Sequence, residues 1–175
     1  MLIVLWRFLV IMALLFWQGG FLFYAAVVVP VGQEELGSHR REGFITRKVT
    51  NYLNLTGVVA LGVLALDLAA HDRSRWRRAA RGLSWLGMAV TLAGLAVLHW
   101  YMDDWLEPAT RSILAPEAFH AAHRSYMWVS TILWVFGLVY LVLALAAWHA
   151  ADRARTVQGE EGMGKMAEEG SKARG

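Results

Sequence analysis

Four stretches of this chain, approximately 8–29, 51–70, 83–102 and 126–148, are each about twenty residues long and hold a single charged side chain between them, Asp67. That feature constrains the fold more than any other. A hydrocarbon core about 30 Å thick is crossed by roughly 20 helical residues rising about 1.5 Å each. Inside lipid every backbone N–H and C=O must be bonded within the segment or around a closed barrel. The runs lack the alternating, roughly ten-residue pattern of barrel strands. The predicted class is therefore all-α: an integral membrane four-helix bundle of up-down topology over residues 1–150. The 57% hydrophobic content agrees with this reading.

The first run is too long for a signal-peptide core and shows no clear small-x-small cleavage site, so it is read as a retained span. Pro30 and Gly32 are expected to end it, because proline lacks the N–H donor and disfavours helix in the residue before it. The connector "HDRSRWRRAARG" carries five arginines against one aspartate, whereas the 31–50 and 103–125 connectors carry four and two basic residues. The positive-inside rule makes the arginine hairpin cytoplasmic and both termini with it, an N-in/C-in arrangement. Trp6, Trp85 and Trp148 then mark the inner interface, and Trp100, Trp105 and Trp128 the outer one. Trp17 and Trp134 fall to internal packing. Arginine outnumbers lysine fourteen to three, which suggests a bacterial inner (cytoplasmic) membrane. Residues 151–175 are rich in glycine and charge, have nothing large to bury, and are expected to form a disordered cytoplasmic tail.

Polar groups within a span are costly, so their placement is informative. Folded onto this topology, Asn51, Asn54, Thr56, His99, Ser130 and Thr131 lie in the outer half, and the inner half holds little beyond Ser84 and Asp67. Arg47, Asn51 and Asn54 recur at helical spacing and should form a stripe facing the bundle. His99 and Asp103, four apart, allow a carboxylate to orient the imidazole, as in the outer shell of a metal-bound histidine. Pro116 opens a helix from which Glu117, His120, His123 and Arg124 project.

His99, His120 and His123, with Asp103 and Glu117, are candidate ligands for Zn, Cu or Fe, and His99 with His123 could be axial ligands to haem b. Glu117-x-x-His120 has di-iron carboxylate spacing but occurs once, where such sites need it twice. The alternative is that these histidines are simply solvated at an interface. Gln18, beside Gly19 and Gly20 in mid-membrane, reads first as a packing residue where another helix approaches closely. It reads second as the lining of a pathway or a hold for a polar headgroup or quinone. Asp67, four residues before His71, is expected to pair with the hairpin arginines, and Arg7 to snorkel toward inner headgroups. The Arg73–Arg81 loop is both a topology signal and a contact for anionic lipid. A membrane protein partner or a homo-oligomer is the other partner class, and no nucleic-acid module is visible. With no cysteine, thiolate sites and covalent c-type haem are excluded. No phosphate-binding glycine loop, nucleophile elbow or HExxH motif is present.

"FWQGGFLFYAAVVVP", "GFITRKVTNYLNLTG" and "HRSYMWVSTILWV" together resemble the small four-span bundles related to transmembrane protein 205, over approximately residues 14–148. The resemblance implies a four-span bundle and supplies no catalytic residues. The function expected is therefore that of a membrane protein without catalytic machinery, either an accessory or assembly subunit or a small-solute handling bundle. The alternative is a haem- or metal-binding redox protein built on the outer histidines.

Overall fold

The computed structural model describes residues 1–36, 39–69, 74–107 and 112–172, with side chains placed for these except at 36, 39–44, 106–107, 112–113, 161 and 165–172. Four long helices dominate. The first, α1, runs from Leu2 to Leu36 through two π-helical turns; α2 is His39–Ala69, α3 is Arg75–Asp104 and α4 is Pro116–Lys172. Each contains a stretch long and apolar enough to cross a membrane. Two-residue strands, β1 (Leu106–Glu107) and β2 (Ser112–Ile113), pair antiparallel between α3 and α4. The chain is thus a multi-pass membrane bundle, and its two termini lie at the same end as the α2–α3 hairpin. This is called the inner end below.

The helices outlast the apolar runs that define them. Pro30 does not end α1. The π-helical turn Tyr24–Val28 lies immediately before it, and regular helix resumes over Val29–Leu36. A π turn shifts the hydrogen-bond register by one residue, which accommodates the donor that proline lacks. The 31–50 connector is mostly helix for the same reason that α3 begins at Arg75: both stretches are rich in good helix formers and continue nuclei already formed in the spans. Ser74 caps α3 by accepting a hydrogen bond from the Arg77 N–H at 3.4 Å. Helix also continues through the expected disordered tail as far as Lys172. That stretch contains no proline, is populated by Ala, Glu, Lys and Met, and extends an existing helix without a new nucleation cost. His71 and Arg73 lie outside the described residues.

The core is a column of Val10, Leu14, Trp17, Leu64, Met88, Leu92, Leu95, Leu133, Tyr140 and Ala144. α3 packs most extensively on α4, and α1 lies chiefly against α2. The other π-helical turn, Leu15–Gly19, aims two consecutive side chains of α1 at two different helices. Trp17 is buried against Gly57 of α2, where a Cβ would sit 2.6 Å from the indole Nε1. Gln18 reaches α4 at Gly137, where a Cβ would sit 2.7 Å from its Nε2. Glycine is needed at both places because the opposing side chain occupies the space of a methyl group. Gly19 and Gly20 in turn thin the wall of an apolar groove of about 410 Å³ between α1 and α2, bordered by Phe16, Phe23, Tyr52 and Leu53.

Candidate functional site

Polar side chains inside the bundle gather at two levels. At the inner level Asp67 and Arg81 face each other across the α2–α3 hairpin, 1% and 2% exposed, in a close ion pair. All four helices contribute to it. The Trp6 indole of α1 and the Trp148 indole of α4 each donate to Asp67 Oδ1 at 3.3 Å. Arg81 Nη2 also donates to the Asp67 carbonyl at 3.2 Å, and its guanidinium lies 5.4 Å from the Tyr140 ring centroid. The Tyr140 hydroxyl lies 2.9 Å from the Leu64 carbonyl and 3.2 Å from Asp67 Oδ2, so its one proton has two acceptors in reach. Isolating either charge at this depth would cost several kcal/mol, and the pairing with these hydrogen bonds offsets that cost, while Arg81 Nε is buried without a partner.

Just beyond it, Arg7 donates to both carboxylate oxygens of Asp152 at 2.7 and 2.9 Å and lies over the Trp148 ring. Arg7 is thus tied to α4 and not directed to headgroups alone. The Asp152 carboxyl, beyond the apolar run of α4, is held below its ordinary pKa by the hydrogen bond from Arg7. The inner tryptophans differ from an interfacial belt in the same sense: Trp6 and Trp148 donate to Asp67, and Trp85 donates to the Leu61 carbonyl at 2.9 Å. On the outer side Trp100 and Trp128 are exposed, as a belt requires.

At the outer level Arg47 Nε of α2 donates to Asp103 Oδ1 of α3 at 2.9 Å, and His99 Nε2 lies 3.9 Å from Asp103 Oδ2, too far for a hydrogen bond. His99 is 9% exposed and Tyr126 is 6% exposed, yet the imidazole Nε2 and the phenol oxygen are both buried without a hydrogen-bond partner. The Asn54 side chain approaches the Tyr126 hydroxyl without reaching hydrogen-bond geometry. Thr50 is buried at the same level of α2, and Ser130 bonds back to the Tyr126 carbonyl at 2.7 Å. The Arg47 and Asp103 charges cancel, so the polarity left over is neutral. Buried polar groups are nearly always satisfied, which makes two orphans at one level of a small bundle informative.

The residues singled out from sequence separate accordingly. His99, Asp103 and Asn54 come to this level. Glu117, His120, His123 and Asn51 are exposed, with Phe119 edge-on to His120 and stacked parallel to His123. Among the described residues no three His, Asp or Glu side chains gather as a ligand set for a metal. Gln18 stands at Gly137 with its Nε2 buried and unpartnered. Thr50, Tyr126 and Tyr140 were not foreseen. The available signals were the four-residue spacings Thr50 to Asn54 and Tyr126 to Ser130, which put each pair on one helix face.

No curated protein and no solved structure matches the chain. Residues 12–112, the first three spans with both the Asp67–Arg81 pair and the His99–Asp103 pair, match one family model. On that match the chain belongs to the family described as Domain of unknown function (DUF4149).

Proposed function

We propose that the protein is a non-catalytic, small-solute handling membrane bundle that holds a small polar molecule at its outer level, behind an inner end kept shut by the Asp67–Arg81 pair. The observation that carries the reading is the pair of buried, unpartnered polar atoms, His99 Nε2 and the Tyr126 hydroxyl. Leaving such groups unsatisfied costs about 1–3 kcal/mol each, and a ligand that supplies the missing bonds recovers that loss. The test is native mass spectrometry of protein extracted gently from its own membrane. A stoichiometric small molecule retained by the wild type and lost from Tyr126→Phe and His99→Leu supports the reading, and a clean apo mass in all three rejects it. A visible spectrum and elemental analysis of the same sample test the alternative of haem or a metal at His99, His120 and His123.

A second reading, an accessory or assembly subunit, is favoured by the groove at Gly19 and Gly20. Small residues let a second transmembrane helix approach closely. The partner would be another membrane protein or a second copy of this chain, in a bacterial cytoplasmic membrane. Co-purification of a defined partner, abolished by Gly19→Phe, would support that reading over the first.

A further inference from the structure

Three helix registers bring the orphaned atoms of His99 and Tyr126 to one level. α3 and α4 are antiparallel, and a Cβ at Gly87 or Gly94 of α3 would meet Phe136 or Val129 of α4 at 2.7 and 4.0 Å. Continuing that register sets His99 opposite Arg124, within one helical turn of Tyr126. Between α2 and α3, Asp67 meets Arg81 and Arg47 meets Asp103, which sets His99 opposite residues 49–51, where Thr50 is the one turned inward. The Tyr140 hydroxyl lies at the Leu64 carbonyl and Asp67 of the parallel helix α2. The same register followed back to Tyr126 reaches residues 50–53. Thr50, His99 and Tyr126 therefore share a level from three helices, with Asn54 one turn from Thr50.

Charge decides what this level can hold. Arg47 and Asp103 neutralise each other at 2.9 Å, and Lys48, Asp104, Glu117 and Arg124 of the same helices are exposed. An ion here would give up its hydration and meet no free opposite charge among the described residues. Hydrogen-bond character narrows the choice further. Asp103 Oδ2, 3.9 Å from His99 Nε2, favours the tautomer that carries its proton on Nε2, so His99 and the Tyr126 hydroxyl both present a donor. The Thr50 hydroxyl and the Asn54 side-chain oxygen offer acceptors at the same level. Resting on the reading that the outer level holds a molecule, we propose that this molecule is a small uncharged carbonyl compound of the amide or urea type. Its oxygen accepts from Tyr126 and His99, and its N–H groups donate to Thr50 and Asn54.

The test uses the full chain in nanodiscs, with histidine labelled by nitrogen-15 and the His99 ring nitrogens identified as the resonances lost in His99→Leu. Acetamide is titrated as the probe, with ammonium and formate as charged counterparts of its two ends. Acetamide should move the His99 Nε2 resonance saturably and leave the exposed His120 unmoved. Tyr126→Phe should weaken the response about three- to tenfold, the value of one hydrogen bond, and neither ion should shift His99. A response to an ion in place of acetamide would overturn the amide class and leave a held molecule standing. An acetamide response of equal strength in Tyr126→Phe would mark a general solvent effect and overturn the proposal. Silence with all three probes would overturn it too, and native mass spectrometry then separates the two claims: a retained molecule keeps the holding reading, and a clean apo mass removes both.

Discussion

Replacing Asp67 by asparagine is the sharpest perturbation of the inner level. The side chain keeps its shape and one oxygen acceptor, but Arg81 loses its counterion while remaining 2% exposed. Because neither partner reaches solvent, the discount applied to surface pairs does not apply. Removing one member of a buried pair typically costs about 3–5 kcal/mol, most of it the penalty of the charge left behind. The bonds from the Trp6 and Trp148 indoles, at 3.3 Å, are long and add little. The hydrogen bonds that Arg81 keeps to the Asp67 carbonyl and the Tyr140 hydroxyl recover part of the loss, so the lower end of the range, about 3 kcal/mol, is expected. The assay is reversible unfolding in mixed micelles, followed by circular dichroism. The control is the doubly substituted Asp67→Leu, Arg81→Met protein, in which no charge is stranded. It should recover at least half of the loss, since apolar replacement of a buried pair is often neutral or stabilising. A single-site cost below about 1 kcal/mol, or a double variant no more stable than Asp67→Asn, would refute the reasoning.

Three further outcomes follow from other contacts. Gly57→Ala places a methyl 2.6–2.8 Å from three atoms of the rigid Trp17 indole, and should destabilise by about 1–3 kcal/mol in the same assay, as overpacking does. Tyr126→Phe removes a hydroxyl that has no partner, so the ligand-free protein should be no less stable than wild type; a loss above about 1 kcal/mol would mean the hydroxyl is bonded. The Asp152 carboxyl has a folded-state pKa below its ordinary 3.8, so the stability it adds is complete above that value and disappears as pH falls through the lower folded-state value. Acid unfolding curves of wild type and Asp152→Asn should differ near neutrality and converge at the acid limit, and curves that stay parallel would contradict the pairing with Arg7.

The four spans and the hairpin's place beside the termini were legible because length and hydropathy answer to the bilayer alone, irrespective of tertiary contacts. Pairing of Asp67 with a hairpin arginine was legible too, since the two elements are joined by a short connection. Which arginine was not: Arg81 lies two turns inside α3, and only the packed bundle shows it turned inward. The polar stripe of α2 was placed one step off. Arg47 and Asn54 face the interior together with Thr50, and Asn51 does not, because helix rotation is set by contacts such as Trp17 on Gly57 that hydropathy does not encode. The outer histidines were grouped by sharing a side of the membrane, which says nothing about whether side chains converge. His99 turns inward from a span and His120 projects from a helix end.

The proposed function requires the outer level to admit a polar molecule and the inner level to exclude one, and the absence of native cysteine makes that directly measurable. Single cysteines at Thr50, Ser130 and Ser84, all buried, would be probed in oriented membrane vesicles with a membrane-impermeant maleimide added from either side. Labelling of the first two from the outer side, with Ser84 protected from both, is the predicted result. Labelling of Ser84 from the hairpin side, or protection of Thr50 and Ser130 from the outer side, would contradict it.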